Sequence, residues 1–280
     1  MRRSLIGALA ALVMLLSGPA AAQSRPLVTE DPETVPVGFM LFEAGLDYAR
    51  DVKFPASGLE GTLWRIGTFG LSIGVSSIAE IQVDGSIRDQ LKLTAVPTPF
   101  ATDLALNDTT STFGDLAIGA KVRFLSETAS RPAMALRFST RLPNAGKETG
   151  LGPGTMDFHY GLGVAKTVQS VRVAGNAGFG ILSDPLEAAE SNHVLTYGLS
   201  VARAVAQGVE IVGEVNGRFN LSEEDNPVGA ETRSAVRVGG RFTKGPVRLD
   251  GALLLGITDQ DPTWGFTAGL TWVFRAFTLQ

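Results

Sequence analysis

The chain has 280 residues, a formal net charge of −4, no cysteine and 33 glycines. Without cysteine there are no disulfide staples and no thiolate metal sites. The mildly acidic balance argues against nucleic acid as a partner, which needs a basic surface.

The chain opens MRRSLIGALAALVMLLSGPAAAQ. Arg2 and Arg3 give a positive start, residues 5–16 an apolar run, and Ala20, Ala21 and Ala22 a small-residue cleavage pattern, so 1–22 reads as a secretory signal peptide. The run is shorter than the ~18 residues of a spanning helix. Residues 23–37 carry Pro26, Pro32 and Pro36 and the acids Glu30, Asp31 and Glu33, with no periodicity. They are expected to form an irregular periplasmic lead-in, with a small plug as the alternative.

From residue 38 onward the pattern alternates. The clearest pair is 116–125 with 133–142. Leu116, Ile118, Ala120, Val122 and Phe124 alternate with Ala117, Gly119, Lys121 and Arg123, and Met134, Leu136, Phe138 and Thr140 alternate with Ala135, Arg137, Ser139 and Arg141. Period-two alternation marks strands with one apolar and one polar face, and runs of roughly ten residues are long enough to cross a bilayer as tilted strands. Similar runs fall at 38–48, 61–75, 79–87, 155–168, 171–181, 193–204, 207–219, 231–242, 247–257 and 264–274. Connections alternate long (49–60, 88–113, 143–154, 182–192, 220–230, 258–263) and short (76–77, 126–132, 169–170, 205–206, 243–246). Long loops at one end and short turns at the other are the signature of an outer-membrane barrel. The expected fold is therefore all-β: a transmembrane, antiparallel, up-and-down β-barrel of about twelve strands over 38–280.

In such a barrel the apolar face meets outer-membrane lipid and the polar face lines the lumen. The inward side chains expected to line it and set its selectivity are Glu43, Asp47, Glu80, Asp84, Asp115, Lys121, Arg123, Arg137, Arg141, Asp157, His159, Arg172, Glu210, Glu214, Arg218, Arg233, Arg237, Arg241, Arg248 and Asp250. Two readings fit these charges: a field that selects permeants, or ion pairs that fill a narrow barrel. Gly161, Gly163, Gly178 and Gly180 also face inward, as a bend or a pocket. Tyr48, Trp64, Phe124, Phe179, Trp264 and Phe274 sit near run ends, where aromatic girdles lie. The closing strand is similar to the terminal signal read by barrel-assembly machinery, although residues 275–280 follow its last aromatic.

The order of motifs resembles one family. LVTEDPETVPVG and FEAGLDY near the mature start, FGDLAIGAKVRF, PAMALRFSTRLPNAGKETGLGPGTMDFHYGLGVAKT and the closing GFTAGLTWVF are similar to the outer-membrane proteins named for the meta-pathway of phenol degradation, described as transporters. The resemblance implies a barrel of about twelve strands that passes small hydrophobic or aromatic compounds.

Signals for chemistry are weak. His159 shares a face with Asp157, which suits an ion pair. Ser191, Asn192 and His193 have the residue types of a nucleophilic site, but neighbours along one strand do not converge on a reacting atom. The NAGKE stretch at 144–148 fails as a phosphate loop, because Arg141 stands where glycine is needed and Glu148 where serine or threonine is needed. Glu223, Glu224 and Asp225 read as a solvated charge run. No catalytic residue, cofactor or metal is assigned. The expected function is a passive channel for a small-molecule permeant, with the loop at 88–113 gating entry. The alternatives are a closed barrel serving as an interaction platform and a lipid-modifying barrel enzyme.

Overall fold

The computed structural model describes residues 24–96, 104–187, 190–222 and 227–278. The signal-peptide expectation at 1–22 and the run Glu223, Glu224 and Asp225 lie outside these residues.

The apolar/polar alternation gives thirteen strands: β1 Phe39–Phe54, β2 Leu59–Gly74, β3 Ala79–Ala95, β4 Thr109–Thr112, β5 Leu116–Leu125, β6 Ala133–Leu142, β7 Asp157–Val168, β8 Val171–Ser183, β9 Ser191–Ala206, β10 Val209–Asn220, β11 Arg233–Lys244, β12 Val247–Gly256 and β13 Trp264–Arg275. All but β4 pair antiparallel around a closed ring, with β13 returning to β1 from Phe39↔Arg275 to Arg50↔Trp264. The expected twelve-strand barrel is present. The thirteenth strand, β4, adds four residue pairs to the outer part of β3. No described segment is α-helical; the one helical element is the 3₁₀ turn Lys147–Thr149.

The burial pattern is that of a soluble protein turned inside out. Phe138, Phe158, Leu199, Ile211, Val238, Leu249 and Leu253 are each at least half exposed on the outer face. Glu80, Lys121, Asp157, Glu214 and Arg248 are buried inside. Lipid removes the usual penalty on an apolar exterior, and the closed ring leaves no unpaired strand edge. Aromatic residues contact one another across strands, Tyr48 lying 4.8 Å from Trp64 and 5.3 Å from Phe266 between ring centroids, and along β13, where Trp272 lies 4.3 Å from Phe274.

Two features depart from simple alternation. β1, β2 and β3 run to 16, 16 and 17 residues, so the expected loop at 49–60 shrinks to a turn at 55–58 and the first part of the expected loop at 88–113 is strand. Carried upward from Ile81 and Val83, the alternation would send Leu91 and Leu93 out to lipid. Instead both are fully buried, while Ile66 and Ile87 stay exposed. The cause is Gly67, which takes φ +66°, a left-handed value that glycine adopts without strain. It is the extra residue where the β1–β2 register shifts, a bulge that turns the strand. Beyond it Arg65 pairs with Asp89 and Leu63 with Leu91 on the inner face. Val52, Leu59, Leu63, Leu91, Leu93 and Leu151 then form an apolar cluster at the long-loop end.

Candidate functional site: the lumen

Of the two readings of residues 24–37, a lead-in outside the barrel and a small plug, the structure has the second: the segment is folded into the lumen. The reason is a complementarity of charge and hydrogen bonding that ten of the twelve barrel strands supply. Arg241 donates from Nη2 to the Ser24 carbonyl and from Nε to the Arg25 carbonyl, both at 2.8 Å. The Arg25 guanidinium reaches Thr267 Oγ1 at 2.8 Å and Thr68 Oγ1 at 3.2 Å, with Asp250 at 3.5 Å and Asp47 at 3.9 Å. Its backbone N–H points to Glu43. The Val28 and Thr29 N–H groups both donate to the Glu214 carboxylate at 2.8 Å, which also holds Arg237 at 2.8 Å. The Glu30 N–H donates to Asn176 Oδ1 at 2.7 Å, and Asn176 Nδ2 donates back to the Glu30 carbonyl at 3.0 Å. That reciprocal pair mimics one rung of a strand ladder.

The acids of the segment then meet the bases of the wall. Glu30 pairs with Arg137 at 2.6 Å and with Lys121 at 3.9 Å, and Asp31 accepts from Arg172 Nη2 at 2.6 Å. Glu33 pairs with Arg123. The Val35 N–H donates to Glu80, which is neutralised by Lys121 at 2.9 Å. Charge-assisted bonds of this kind are the strong ones. The proline at three positions fits the same setting, because it brings no N–H that the lumen would have to satisfy.

Wall glycines make room for the segment. A Cβ at Gly198 would stand 2.6 Å from Thr29 Oγ1, and one at Gly45 or Gly269 would enter the Arg25 guanidinium. At Gly74 it would meet the Val35 and Pro36 carbonyls at 2.4 and 2.2 Å. Of the four inward glycines singled out in the sequence, Gly163 faces Pro32, Gly180 packs on His159 and Val194, and Gly161 and Gly178 line the open part of the lumen.

The remaining predicted charges pair within the wall. Arg141 bridges Asp115, at 2.7 Å, and Asp157. Arg137 also reaches Asp84 at 3.7 Å. Glu210 lies between Arg241 and Arg248 at 3.9 and 3.8 Å. Arg218 and Arg233 share Glu231. His159 lines the chamber beside this network. Sequence reasoning missed Arg25, Glu30, Asp31, Glu33, Asn176 and Glu231. The signal that could have found Glu30, Asp31 and Glu33 is the match between acids in 24–37 and the basic inward positions of β5, β6 and β8.

Above the segment, toward the long-loop end, a chamber of about 740 Å³ remains. Its floor is residues 25–32. Its wall carries Asp47, Arg65, Arg141, Asn216, Arg218, Arg233 and Arg237, with Ala49, Val52 and Leu63 as an apolar patch. The sequence candidates for catalysis do not converge. The His193 ring lies against Phe179, 5.4 Å between centroids, while Asn192 turns to Asp184 and Ser222. The 144–148 stretch leads into the 3₁₀ turn.

At the short-turn end, Arg172 joins Asp31 of the segment to Glu127 of the turn at 126–132. Burial pushes the Asp31 carboxyl up, but the Arg172 guanidinium, the Glu33 N–H and Lys121 outweigh it and hold the acid below the ordinary 3.8. Glu127 is likewise held below 4.5, by the Thr167 N–H and Arg172 against a small burial penalty. A depressed carboxylate stabilises docking fully above its ordinary pKa and loses that contribution as pH falls through the lowered value. The contribution of the Asp31–Arg172–Glu127 contact to docking is therefore expected to be constant from neutrality down to pH 4.5 and to weaken below 3.8. The conductance difference between wild type and Arg172→Gln, which lacks this contact, should stay constant down to pH 4.5 and shrink below 3.8, and a difference already lost at pH 6 would contradict the assignment.

A closed twelve-strand antiparallel barrel with an apolar exterior and an ionic lumen is the fold of outer-membrane barrel proteins. Residues 23–274 match the family described as "Putative MetA-pathway of phenol degradation", and the chain belongs to that family. Among solved structures it is similar to an outer-membrane channel from Pseudomonas putida F1, with 14% identity and a TM-score of 0.60 over 87% of this chain and 98% of that one. It is also similar to the NanC porin, with 6% identity and a TM-score of 0.51 over 82% of this chain and 98% of that one. At these identities the likeness is one of fold. No curated protein matches the chain.

Proposed function

We propose that the protein is a passive outer-membrane channel for small molecules, narrowed by its own N-terminal segment. The observation that carries this reading is the chamber of about 740 Å³ inside a closed barrel, floored by residues 25–32 rather than filled by wall side chains. A barrel of this size falls between eight strands, which side chains fill, and 16–18, which leave an aqueous channel. The segment supplies the missing constriction. Fold likeness to a channel and a porin agrees with the reading. Export by a cleaved signal peptide and assembly into outer-membrane lipid belong to the same proposal. So does uptake of hydrophobic or aromatic compounds, for which the apolar patch of Ala49, Val52 and Leu63 would be the contact.

Planar-bilayer recording of the purified protein tests this. Discrete conductance is expected, and Arg137→Ala, which frees Glu30 of the segment, should raise it and shift its ion preference. Recordings of the variant that overlay the wild type would remove the lumenal charges from the mechanism. A second reading, a closed barrel with a platform role, is favoured by the segment's contacts around the whole wall. It predicts no conductance either with or without the segment.

A further inference from the structure

We propose that Arg218 and Arg233 form a subsite in the chamber for a small organic monoanion, a carboxylate carrying an apolar body. This rests on the chamber being accessible to solutes and adds to that reading the class of solute. Arg218 on β10 and Arg233 on β11 are direct cross-strand partners, both facing the lumen. Like charges placed directly opposite each other are destabilising. One carboxylate, Glu231, serves both, at 3.2 Å from Arg218 and 3.8 Å from Arg233. Elsewhere in the chamber the cations are matched: Arg141 by Asp115 and Asp157, Arg237 by Glu214, Arg65 by Asp89. The uncompensated positive charge is thus localised at this pair.

The two guanidinium groups differ in how they are held. Arg218 is pinned by the Gly229 and Glu231 carbonyls, each at 2.9 Å. The Arg233 guanidinium makes a single hydrogen bond among the described residues, from Nη2 to the Lys53 carbonyl at 3.5 Å, beside the shared Glu231 at 3.8 Å, and its Nε is buried without a partner. The terminal Nη1–Nη2 edge, with no hydrogen bond at Nη1 among the described residues and only the long contacts at Nη2, is the one suited to a planar carboxylate, which a guanidinium binds through two parallel bonds. Lys53 follows Val52 in β1, and Arg233 lines the same chamber as the apolar patch of Ala49, Val52 and Leu63. An anion bound at Arg233 therefore has greasy wall within reach for its remainder, the usual composition of a small-molecule site: apolar lining with a few placed polar groups.

The test is calorimetric titration of the full-length mature protein in detergent with hexanoate, using hexanamide as the uncharged isostere. Hexanoate should bind and hexanamide should not. Arg233→Gln should weaken hexanoate at least about tenfold, the loss of one charge-assisted bond. Glu231→Gln, which removes the competing carboxylate and keeps an acceptor for the Gly229 N–H, should tighten it severalfold. A purely structural role for Glu231 would not produce that gain. Retained heat-modifiable gel mobility would show that each variant still forms the barrel. Equal hexanoate affinity in wild type and Arg233→Gln, or no binding to wild type, would overturn the subsite. Bilayer conductance in KCl is scored separately, so that a binding but non-conducting barrel would sink the channel reading and leave the subsite standing.

Discussion

Deleting residues 24–34 should raise single-channel conductance severalfold. The deletion removes the floor of the chamber and keeps Val35, which packs with Leu41 at the base of β1. Every ion pair that the segment makes, from Arg25 to Glu33, is lost at once, but no strand of the closed ring is touched. A twelve-strand cross-section without this filling approaches the open, water-filled regime. The freed cations Lys121, Arg123, Arg137 and Arg172 would then face the pore, so the open state should favour anions more than the plugged one does. Planar-bilayer recording with reversal potentials measures both. An unchanged conductance would mean that the constriction lies elsewhere.

The largest single-residue effect is expected at Glu214. Its side chain is fully buried, and it receives the Val28 and Thr29 N–H groups together with the Arg237 guanidinium. Removing one partner of a buried charged cluster costs about 3–5 kcal/mol, because the groups left behind stay unpaired. Glu214→Ala should therefore weaken docking of the segment by roughly 10²–10⁴ in equilibrium constant. Hydrogen exchange at the Val28 and Thr29 amides should speed up by a comparable factor, with exchange on β9 and β10 little changed. Glu214→Gln, which keeps one acceptor, should fall between. Protection at the two amides equal to wild type in the alanine variant would show that Glu214 does not latch the segment.

The wall of the barrel was legible in the sequence because its code is local. Leu116, Ile118 and Val122 alternate with Lys121 and Arg123 within one strand, and lipid on one side with water on the other enforces the pattern residue by residue. Two things were not legible. Gly67 is one glycine among many, and only its positive φ and the shifted register of β1 against β2 turn Leu63, Leu91 and Leu93 inward. The place of residues 24–37 was hidden for a different reason. The segment has no periodicity of its own, and its partners are scattered from Glu43 to Ala268, as far as 243 positions away in the chain. Ion pairing between Glu30, Asp31 and Glu33 and the bases of β5, β6 and β8 resolves what reads in the sequence as unexplained segregation of lumenal charge. The Arg218–Arg233 juxtaposition likewise appears only once the β10–β11 register is known.

Because the chain has no cysteine, one pair of introduced thiols can report directly where the segment lies. Thr29 Cβ stands 3.4 Å from the position a Cβ would take at Gly198, midway along β9, close to the separation in a disulfide. Thr29→Cys combined with Gly198→Cys, oxidised in isolated outer membranes, should cross-link to near completion, and proteolysis should release the two peptides joined. Thiols that stay free under oxidation, in a barrel whose heat-modifiable mobility is normal, would place the segment outside the lumen and contradict the account.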